Sequence, residues 1–463
     1  MNREIASYTE LGQATPQVLT AAKNDFYPAD TGAALQSLIE KYNKYNGLCI
    51  EVSFRELVPW VYGGSRATHY LHSYPAKLLP QIAHFFLANE LVCPSDGVVL
   101  DPFSGSGTVA LETVLSGRNA YYCDVNPFAR FLTKAKTTPV ATREIDSALA
   151  ELKLRYSNVK EVPTPDVVNL SYWYDSTTSQ HLSRLKAAID LLSCTDTKDF
   201  FRACFSTVSK QLSRANPRFS VPVRLKINGQ HVDIVADSEV VWQKFCKSVE
   251  RAKRQICSLS EHAKLGRAYL VAENVLSLDK SWPAVDKNFG EVDLIITSPP
   301  YAGAQKYVRA TSLSLGWLSQ AKSSELKSIE NRTLGREHLS KASTINLEST
   351  SIDRADQVIQ AIALENPTRA AIASVFLGEM KTAAEKIMGS LKSGGYAVVV
   401  MADNTICGRK FETTAFTSEL FCNAGGTKVL ELSDKIISRS LQTKRASTSS
   451  SISHETITVF QKG

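Results

Sequence analysis

The first regular pattern of apolar positions predicts a strand, a turn, a helix and a second strand. The run Val98 to Leu100 predicts a buried strand, and Val109 to Leu115 predict a helix that ends at Gly117. A second strand is predicted over Ala120 to Cys123 and ends at Asp124. This order is typical of a βαβ unit with parallel strands.

The alternation of strands and helices returns in the second half of the chain. A helix is predicted from about residue 370 to 390, and Gly394 and Gly395 separate it from the next strand. Four further strands are predicted over Ala268 to Ala272, Asp293 to Ile296, Tyr396 to Met401 and Glu455 to Gln461, and one near Ile436 and Ile437. The pattern therefore predicts an α/β fold with a doubly wound, mostly parallel sheet.

Between the two halves, from about residue 140 to 265, this alternation is lost. The stretch has a helical pattern over Ser176 to Leu192, strand-like alternation from Val221 to Val235 and a basic helix near 239–258. We interpret it as an insertion. The predicted organisation is an N-terminal extension (1–65), a first half of the α/β domain (66–140), the insertion (141–265) and a second half (266–463) with a polar stretch at about 302–350.

Composition agrees with a globular protein and excludes several classes. The 463 residues are 43% hydrophobic and 21% charged, and no apolar stretch approaches the roughly 18 residues of a membrane span. We therefore expect a cytoplasmic protein without membrane contact. The nine cysteines include no Cys-x-x-Cys pair and no cluster at zinc-ligand spacing, so a metal site is not expected.

The distribution of charge is more informative than the net charge of +7. Residues 201–260 contain eleven Lys and Arg against four Asp and Glu, so this segment carries the whole surplus. Such a segment is suited to nucleic-acid phosphates, although a solvated helical face is the alternative explanation. The candidate contacts are Lys210, Arg214, Arg218 and Arg224, together with Lys306 and Arg309 later in the chain.

A glycine-containing loop follows the first predicted strand, with the sequence Asp-Pro-Phe-Ser-Gly-Ser-Gly-Thr over residues 101–108. Gly105 and Gly107 allow positive φ angles and a close approach of backbone N–H groups to a ligand, at the start of a helix. Asp124, at the end of the next strand, is placed to accept hydrogen bonds from ribose hydroxyls. A tight turn without a ligand is the alternative.

The type of ligand follows from what this loop lacks. No lysine follows Gly107, which disfavours a nucleoside triphosphatase, and Ala110 stands where dinucleotide enzymes prefer a third glycine. A dehydrogenase stays a weaker alternative. S-adenosylmethionine fits better, because it has adenine and ribose but no phosphate.

A second loop, Thr-Ser-Pro-Pro-Tyr over residues 297–301, follows the strand predicted at 293–296. An aromatic amine is a poor nucleophile, so a catalyst must hold it with hydrogen-bond acceptors. Ser298 Oγ and the Pro299 carbonyl are such acceptors, the two prolines fix the loop, and Tyr301 supplies a face for stacking a base. The two loops together indicate methyl transfer to an amine. The alternative is a Pro-Pro turn with Tyr301 in the core.

At these residues the chain resembles the S-adenosylmethionine-dependent DNA amino-methyltransferases of restriction-modification systems. Four patches carry the resemblance, namely His72 to Lys77, Asp101 to Thr108, Asp124 and Thr297 to Tyr301. The resemblance implies the class I methyltransferase fold, with a Rossmann-like seven-stranded sheet and a target-recognition region inserted between the glycine loop and the catalytic loop. It implies S-adenosylmethionine as the cofactor and no metal.

The resemblance also implies a set of site residues. The catalytic set is Ser298, Pro299, Pro300 and Tyr301. The cofactor-binding set is Tyr74, Pro75, Lys77, Asp101, Pro102, Phe103, Gly105, Gly107, Thr108, Asp124 and Glu273.

Thr-Ser-Pro-Pro-Tyr is similar to the cytosine-N4 subgroup, whereas the adenine-N6 subgroup more often has Asp or Asn where Ser298 stands. Carbon-5 methylation of cytosine is disfavoured, since no Pro-Cys pair is present. Adenine-N6 or RNA amine methylation and a catalytically silent DNA-binding subunit stay open. The implied partner is double-stranded DNA, with a cognate restriction endonuclease as a possible companion.

Overall fold

The structure is a computed structural model. It describes residues 26–62, 66–160, 162–260, 264–278, 291–303, 306–339, 347, 349–436 and 453–463.

The strands form one large sheet and two small hairpins. Their bounds are β1 (Ile50–Val52), β2 (Val98–Asp101), β3 (Asn119–Cys123), β4 (Lys226–Ile227), β5 (Gln230–His231), β6 (Ala268–Ala272), β7 (Val292–Thr297), β8 (Leu391–Met401), β9 (Asn404–Ile406), β10 (Arg409–Phe411), β11 (Gly426–Lys435) and β12 (His454–Lys462). The large sheet has eight strands in the order β1-β11-β12-β8-β7-β2-β3-β6. Every neighbouring pair in it is parallel except the two that involve β12.

Helices cover both faces of this sheet and build a separate layer beside it. Their bounds are α1 (Gly32–Lys44), α2 (Phe54–Leu57), α3 (Pro80–Leu87), α4 (Thr108–Leu115), α5 (Pro127–Thr137), α6 (Thr142–Asn158), α7 (Leu170–Trp173), α8 (Ser176–Asp190), α9 (Thr195–Gln211), α10 (Ser238–Ser260), α11 (Tyr307–Trp317), α12 (Leu326–Asn331), α13 (Asp353–Ala363), α14 (Pro367–Ser390) and α15 (Thr413–Asn423). None of the described helices is long and apolar enough to cross a membrane.

The predicted fold class is confirmed, because the sheet is doubly wound and mostly parallel. From the central strand β2 the chain adds β3 and β6 on one side, and then β7 and β8 on the other. The strand order therefore reverses between β2 and β7. In open α/β sheets, the crevice outside the carboxyl ends of the strands at this switch point is the usual place for a ligand.

The predicted number of strands in the sheet was seven, and the structure has eight. The additional strand, β1, comes from the N-terminal extension and pairs in parallel with β11 through Ile50 and Leu432. Ile50 and Val52 are buried, while Glu51 between them is exposed. A three-residue strand at the edge of a sheet carries too short an alternation to be recognised in the sequence.

The strand expected near Ile436 and Ile437 was placed too late in the chain. The structure has β11 at Gly426–Lys435, ending before Ile436, and Ile437 lies outside the described residues. Glu431, Ser433 and Asp434 are buried in this strand, although they are polar. Its sequence therefore lacks the continuous apolar pattern that predicts a buried strand.

The helices of the inserted segment share one hydrophobic core with α5 and α11. Apolar residues of α6, α8, α9 and α10 pack together with α5 and α11, and Phe205, Phe245 and Trp317 are fully buried there. The strand-like alternation expected over Val221 to Val235 contains only the short β4–β5 hairpin. Helix α11, from the stretch expected to be polar, contributes to this same core.

Candidate active site

The two predicted loops leave neighbouring strands at the same edge of the sheet. Strand β2 ends at Asp101 and β7 ends at Thr297, and the two strands pair through Leu100 and Ile295. The hydroxyl of Thr297 donates a hydrogen bond of 2.8 Å to Oδ1 of Asp101. The same Oδ1 accepts a bond of 3.2 Å from the backbone N–H of Phe103. One buried carboxyl group therefore joins the glycine loop to the strand that carries the Ser-Pro-Pro-Tyr loop.

The two glycines of the first loop have different roles. Both have positive φ, 46° at Gly105 and 73° at Gly107. A Cβ atom on Gly107 would lie 2.9 Å from the Cα of Thr133, so this position is glycine because α5 packs against it. A Cβ atom on Gly105 would meet only the Tyr74 ring, at 3.5 Å, and the backbone of Phe103. Gly105 is therefore the position that faces open space.

A cleft opens beside Gly105, between the two loops. Seven of the predicted site residues line it: Tyr74, Pro102, Phe103, Gly105, Asp124, Ser298 and Pro300. The structure thus brings residues from four separate parts of the sequence to one cavity. These parts are the segment before α3, the glycine loop, the end of β3 and the end of β7.

The cleft also has lining residues that the sequence analysis did not select. They are Ala76, Val125, Asn126, Asn274, Val275, Tyr307, Arg332, Thr333 and Leu334. Asn126 caps α5 through its Oδ1 and donates to Thr311 Oγ1 at 3.0 Å. The Asn-Pro pair at 126–127, a signal for a helix start directly after Asp124, would have identified it. Tyr307 and Arg332 carry no such local signal.

Asp124 lies at the centre of the hydrogen bonds in this cleft. Its Oδ2 accepts from the backbone N–H of Gly105, and its Oδ1 accepts from that of Asn126, both at 2.8 Å. Burial raises the pKa of Asp124 to about 6, and these two bonds act in the opposite direction. Burial likewise raises the pKa of Asp101 to about 7, against the hydrogen bond from Thr297.

Tyr301, the last residue of the Ser-Pro-Pro-Tyr loop, does not line the cleft. Its ring is only 9% exposed and packs in the main core. Burial and the nearby Glu455 raise the pKa of its hydroxyl well above the usual value, while a hydrogen bond with Ser298 acts in the opposite direction. We expected an open face for stacking a base, and the structure instead places the Tyr301 ring where it supports Ser298. The stacked rings of Tyr74 and Tyr307 border the cleft, with centroids 6.4 Å apart.

The backbone of the Ser-Pro-Pro-Tyr loop is held by a close approach of Gly335. The N–H of Gly303 donates to the Gly335 carbonyl at 3.1 Å. A Cβ atom on Gly335 would lie 2.6 Å from the carbonyl oxygen of Tyr301, and its φ is +75°. Only glycine fits at this position without moving the loop.

The remaining predicted cofactor residues do not line this cleft. Lys77 and Thr108 border a second cavity, and the ammonium group of Lys77 donates to the carbonyls of His69 and His72 at 3.1 and 3.0 Å. Burial lowers the pKa of Lys77 to about 8. Glu273 forms an ion pair with Arg130 at 3.0 Å. Asp101, Gly107, Pro75, Pro299 and Tyr301 are also absent from the cleft lining.

The second cavity contains a pair of neighbouring carboxyl groups. Asp434 of β11 and Glu455 of β12 are register partners in the sheet, and Arg55 also borders the cavity. Burial and the Asp434 charge raise the pKa of Glu455 to about 7. Burial raises the pKa of Asp434 to about 6, against the nearby charge of Arg55.

A buried ion cluster fixes the segment before α3 against α4. Glu112 is fully buried, and its carboxylate accepts bonds of 2.7 and 2.9 Å from Arg66 and 2.7 Å from His69. Burial acts to raise the pKa of Glu112, but the Arg66 charge and the bonds with His69 and His84 hold it well below the usual value. Helix α4 begins at Thr108, the last residue of the glycine loop, so the cluster fixes the segment before α3 relative to that loop.

The six Lys and Arg residues predicted to contact DNA differ in whether their side chains form ion pairs within the protein. Arg214 and Arg224 both pair with Asp233, at 2.8 and 3.2 Å, and their side chains are only 13% and 14% exposed. These two guanidinium groups therefore serve the fold of the insertion and are not free for DNA, contrary to our expectation. Lys306 pairs with Glu337 at 3.3 Å. Lys210 is partly buried, which lowers its pKa, whereas Arg218 and Arg309 are exposed.

Comparison with known proteins gives two relatives in sequence. The Type II methyltransferase M.MvaI of Kocuria varians is 26% identical over 378 residues, which are 76% of this chain and 81% of that protein. The Type II methyltransferase M.MjaII of Methanocaldococcus jannaschii is 25% identical over 88 residues, 19% of this chain and 16% of that protein. No family model matches the chain.

Among solved structures, the rRNA methyltransferase aviRa of Streptomyces viridochromogenes aligns over 89% of this chain and 96% of its own. The identity is 10% and the TM-score is 0.30. The match to M.MvaI, which extends over three quarters of this chain, confirms the predicted resemblance to methyltransferases of restriction-modification systems.

Proposed function

We propose that this chain, which is similar over most of its length to a Type II methyltransferase, is an S-adenosylmethionine-dependent, site-specific DNA methyltransferase. We further propose that it methylates the exocyclic N4 amine of a cytosine that is flipped out of the duplex. One observation carries the proposal. A single cleft is lined by Gly105, by Asp124 and by Ser298, which are the groups that a nucleoside-containing methyl donor and an amine acceptor each require.

The cofactor side of the cleft fits an adenosine without phosphate. The Asp124 carboxylate is held in place by two backbone N–H groups and retains lone pairs for ribose hydroxyls. Phe103, Val125 and Val275 supply apolar surface for an adenine ring. When bound, S-adenosylmethionine supplies an electrophilic methyl group on its sulfonium. The chain's own contribution is to position this donor beside Ser298 and to exclude water from the space between.

The acceptor side is suited to an amine conjugated with a ring. Ser298 lies on the wall of the cleft. A hydrogen bond with the Tyr301 side chain restricts the orientation of the Ser298 hydroxyl. The Ser298 hydroxyl and the Pro299 carbonyl accept N–H bonds from the amine and draw it toward tetrahedral geometry. No strong base is required, because the nitrogen becomes acidic once it has received the methyl group.

The preference for cytosine over adenine rests on Ser298, where the adenine-N6 subgroup more often has Asp or Asn. Because a base inside a duplex is out of reach of the cleft, the target must be extruded from the stack. A restriction endonuclease with the same recognition sequence is the expected companion.

The test combines a tritium-transfer assay with mass spectrometry of nucleosides. The protein is incubated with labelled S-adenosylmethionine and either unmethylated plasmid DNA or total RNA. We expect N4-methylcytosine in the DNA. N6-methyladenine would overturn the choice of base, label only in RNA would overturn the choice of nucleic acid, and no label in either would favour a silent DNA-binding subunit.

A matched pair of serine variants serves as the control. Ser298→Ala should abolish transfer while S-adenosylmethionine still binds. Ser393→Ala removes an exposed serine near the amino end of β8, whereas the cleft lies at the carboxyl ends of β2, β3 and β7. This variant should leave the transfer rate unchanged. Normal turnover by Ser298→Ala would contradict the proposed role of this hydroxyl.

A further inference from the structure

The inserted segment carries an exposed two-stranded ribbon between α9 and α10. Strands β4 and β5 pair through Lys226 with His231 and through Ile227 with Gln230. Asn228 and Gly229 join them with φ angles of 50° and 80°, and positive φ at both turn positions is the geometry of a tight hairpin that follows the strand twist. All six residues are exposed, and a Cβ atom on Gly229 would meet nothing within 4 Å. Both faces of the ribbon are therefore open.

The base of the ribbon is fixed, although an isolated hairpin is barely stable in water. Asp233 pairs with both Arg214 and Arg224, and the Arg224 guanidinium lies 5.0 Å from the centre of the Tyr172 ring. The N–H of Arg214 donates to the Trp173 carbonyl of α7 at 2.8 Å. These contacts set the direction of the ribbon and neutralise its one carboxylate. The net charge left at the tip is positive.

The ribbon side chains have unused hydrogen-bonding capacity. In the part of the chain that the structure describes, Lys226, Asn228, Gln230 and His231 have no side-chain partner. Amide side chains of this kind form paired bonds with adenine edges, and a lysine binds guanine edges or phosphates. Ile227 is 57% exposed at the tip and offers an apolar contact for a thymine methyl group.

The insertion that carries the ribbon contacts the segment that borders the cleft. Burial lowers the pKa of His72 to about 3, and the charge of Lys210 on α9 acts in the same direction. Ser206 of the same helix hydrogen-bonds His72 at 3.1 Å. Two residues further along the chain, Tyr74 borders the cleft. Helix α9, which precedes the stretch that carries the ribbon, therefore packs against the segment that forms one wall of the site.

We propose that the β4–β5 hairpin, residues 226–231, enters the major groove of duplex DNA and reads the recognition sequence through Lys226, Asn228, Gln230 and His231. This inference rests on the proposed function. The major groove of B-DNA is about 12 Å wide and admits a two-stranded ribbon, whose strands are about 4.8 Å apart. The exposed positive charge and the absence of a free carboxylate on the ribbon fit the phosphates on either side of this groove.

The experiment uses the full chain and a recognition sequence first determined from methylated plasmid. The variant Lys226→Ala/Gln230→Ala/His231→Ala is compared with the unmodified protein, and Gln230→Ala alone serves as a milder second variant. Lys44→Ala is the matched control, because Lys44 is an exposed lysine on α1, which packs against β11 near the other edge of the sheet. Affinity is measured for a duplex with the recognition sequence and for one without it, over a range of salt concentrations.

We expect the triple variant to bind S-adenosylmethionine normally and to lose about tenfold or more in affinity for its recognition duplex. The ratio of specific to non-specific affinity should fall, and Lys44→Ala should leave it unchanged. An unchanged ratio, or an equal loss on both duplexes, would overturn the reading role of the ribbon. If the unmodified protein methylates no DNA at all, the proposed function fails instead, which is a separate outcome.

Discussion

The hydroxyl of Thr297 lies 2.8 Å from Oδ1 of Asp101, although the two residues are 196 positions apart. Both are buried, and each ends the strand that precedes one of the two functional loops. The bond therefore couples the loop proposed to hold the methyl donor to the loop proposed to hold the acceptor.

Replacing Thr297 with valine should weaken this coupling. Valine keeps the shape but leaves the buried Asp101 carboxyl with one donor fewer, which costs about 1–3 kcal/mol in the free energy of unfolding. Urea unfolding measures the loss, and Thr297→Ser, which keeps a hydroxyl, should lose much less. Equal stability of the valine variant and the unmodified protein would show that the bond contributes nothing.

Removing the hydroxyl of Tyr301 should slow transfer without affecting donor binding. In Tyr301→Phe the ring still fills its place in the core, but Ser298 loses the partner that orients it. We expect kcat to fall by about tenfold, the equivalent of a hydrogen bond of roughly 1.4 kcal/mol, with the Kd for S-adenosylmethionine unchanged. Tyr62→Phe, at an exposed tyrosine, is the control. A normal kcat would mean that Ser298 does not depend on this hydroxyl.

Gly335→Ala should displace the loop of residues 297–301, because Gly335 lies against the backbone of this loop. The new methyl group would lie 2.6 Å from the Tyr301 carbonyl oxygen, at a residue with φ of +75°. We expect a loss of transfer together with a loss of stability of about 1–3 kcal/mol from backbone strain. Gly378→Ala is the matched control, since a Cβ atom there meets nothing within 4 Å and its helical position favours alanine. If both variants are equally active, Gly335 does not set the position of the loop.

Donor affinity should depend on pH through Asp124. Its pKa of about 6 means that the carboxylate predominates above this pH and accepts ribose hydroxyls, whereas the protonated acid has lost part of that capacity. The affinity for S-adenosylmethionine, measured by calorimetry, should therefore fall as the pH drops through about 6. The free energy of unfolding depends on pH in the opposite direction. The folded-state pKa is raised above that of the unfolded chain, so this carboxyl contributes stability at low pH that is lost as the pH rises through about 6.

The variant Asp124→Asn identifies the group responsible. An amide cannot accept from both Gly105 and Asn126, so the affinity at pH 8 should fall by about tenfold, and the change near pH 6 should disappear. A change that persists in this variant belongs to another group, such as Asp101, whose pKa is about 7.

Glu112→Gln should be the most destabilising of these changes. It removes the negative charge from a fully buried cluster and leaves Arg66 without its counter-ion. Breaking a buried ion pair at one partner costs about 3–5 kcal/mol. Denaturant unfolding measures this loss, and Glu90→Gln, at an exposed glutamate, should be neutral. A loss below about 1 kcal/mol would indicate that the cluster does not hold the segment before α3.

The two loops of the candidate site were recognisable in the sequence because their signals are local. Gly105 and Gly107 lie between an apolar run and a helical pattern, and Ser298 to Tyr301 follow an apolar run directly. Strand ends, glycine turns and proline pairs depend on the conformational preferences of adjacent residues, which any reader of the chain can evaluate. The confirmed fold class follows from the same periodicity.

Other features depend on which residues meet across long separations. In the sequence, Arg214 and Arg224 cannot be distinguished from arginines that have no partner. Only the fold of the insertion pairs them with Asp233. Tyr301 and Tyr307 differ by six positions, yet the first lies in the core and the second borders the cleft. No local preference distinguishes these outcomes, because each is decided by the partner that packing brings near.

The sequence by itself determined the fold class and the two loops that follow β2 and β7, since these depend on neighbours along the chain. The tertiary structure alone decided that β1 extends the sheet, that Thr297 bonds Asp101 and that Gly335 supports the catalytic loop. The physical reason is that such contacts arise from close packing and from the pairing of buried polar groups, which depend on distance in space and leave no periodic trace in the chain.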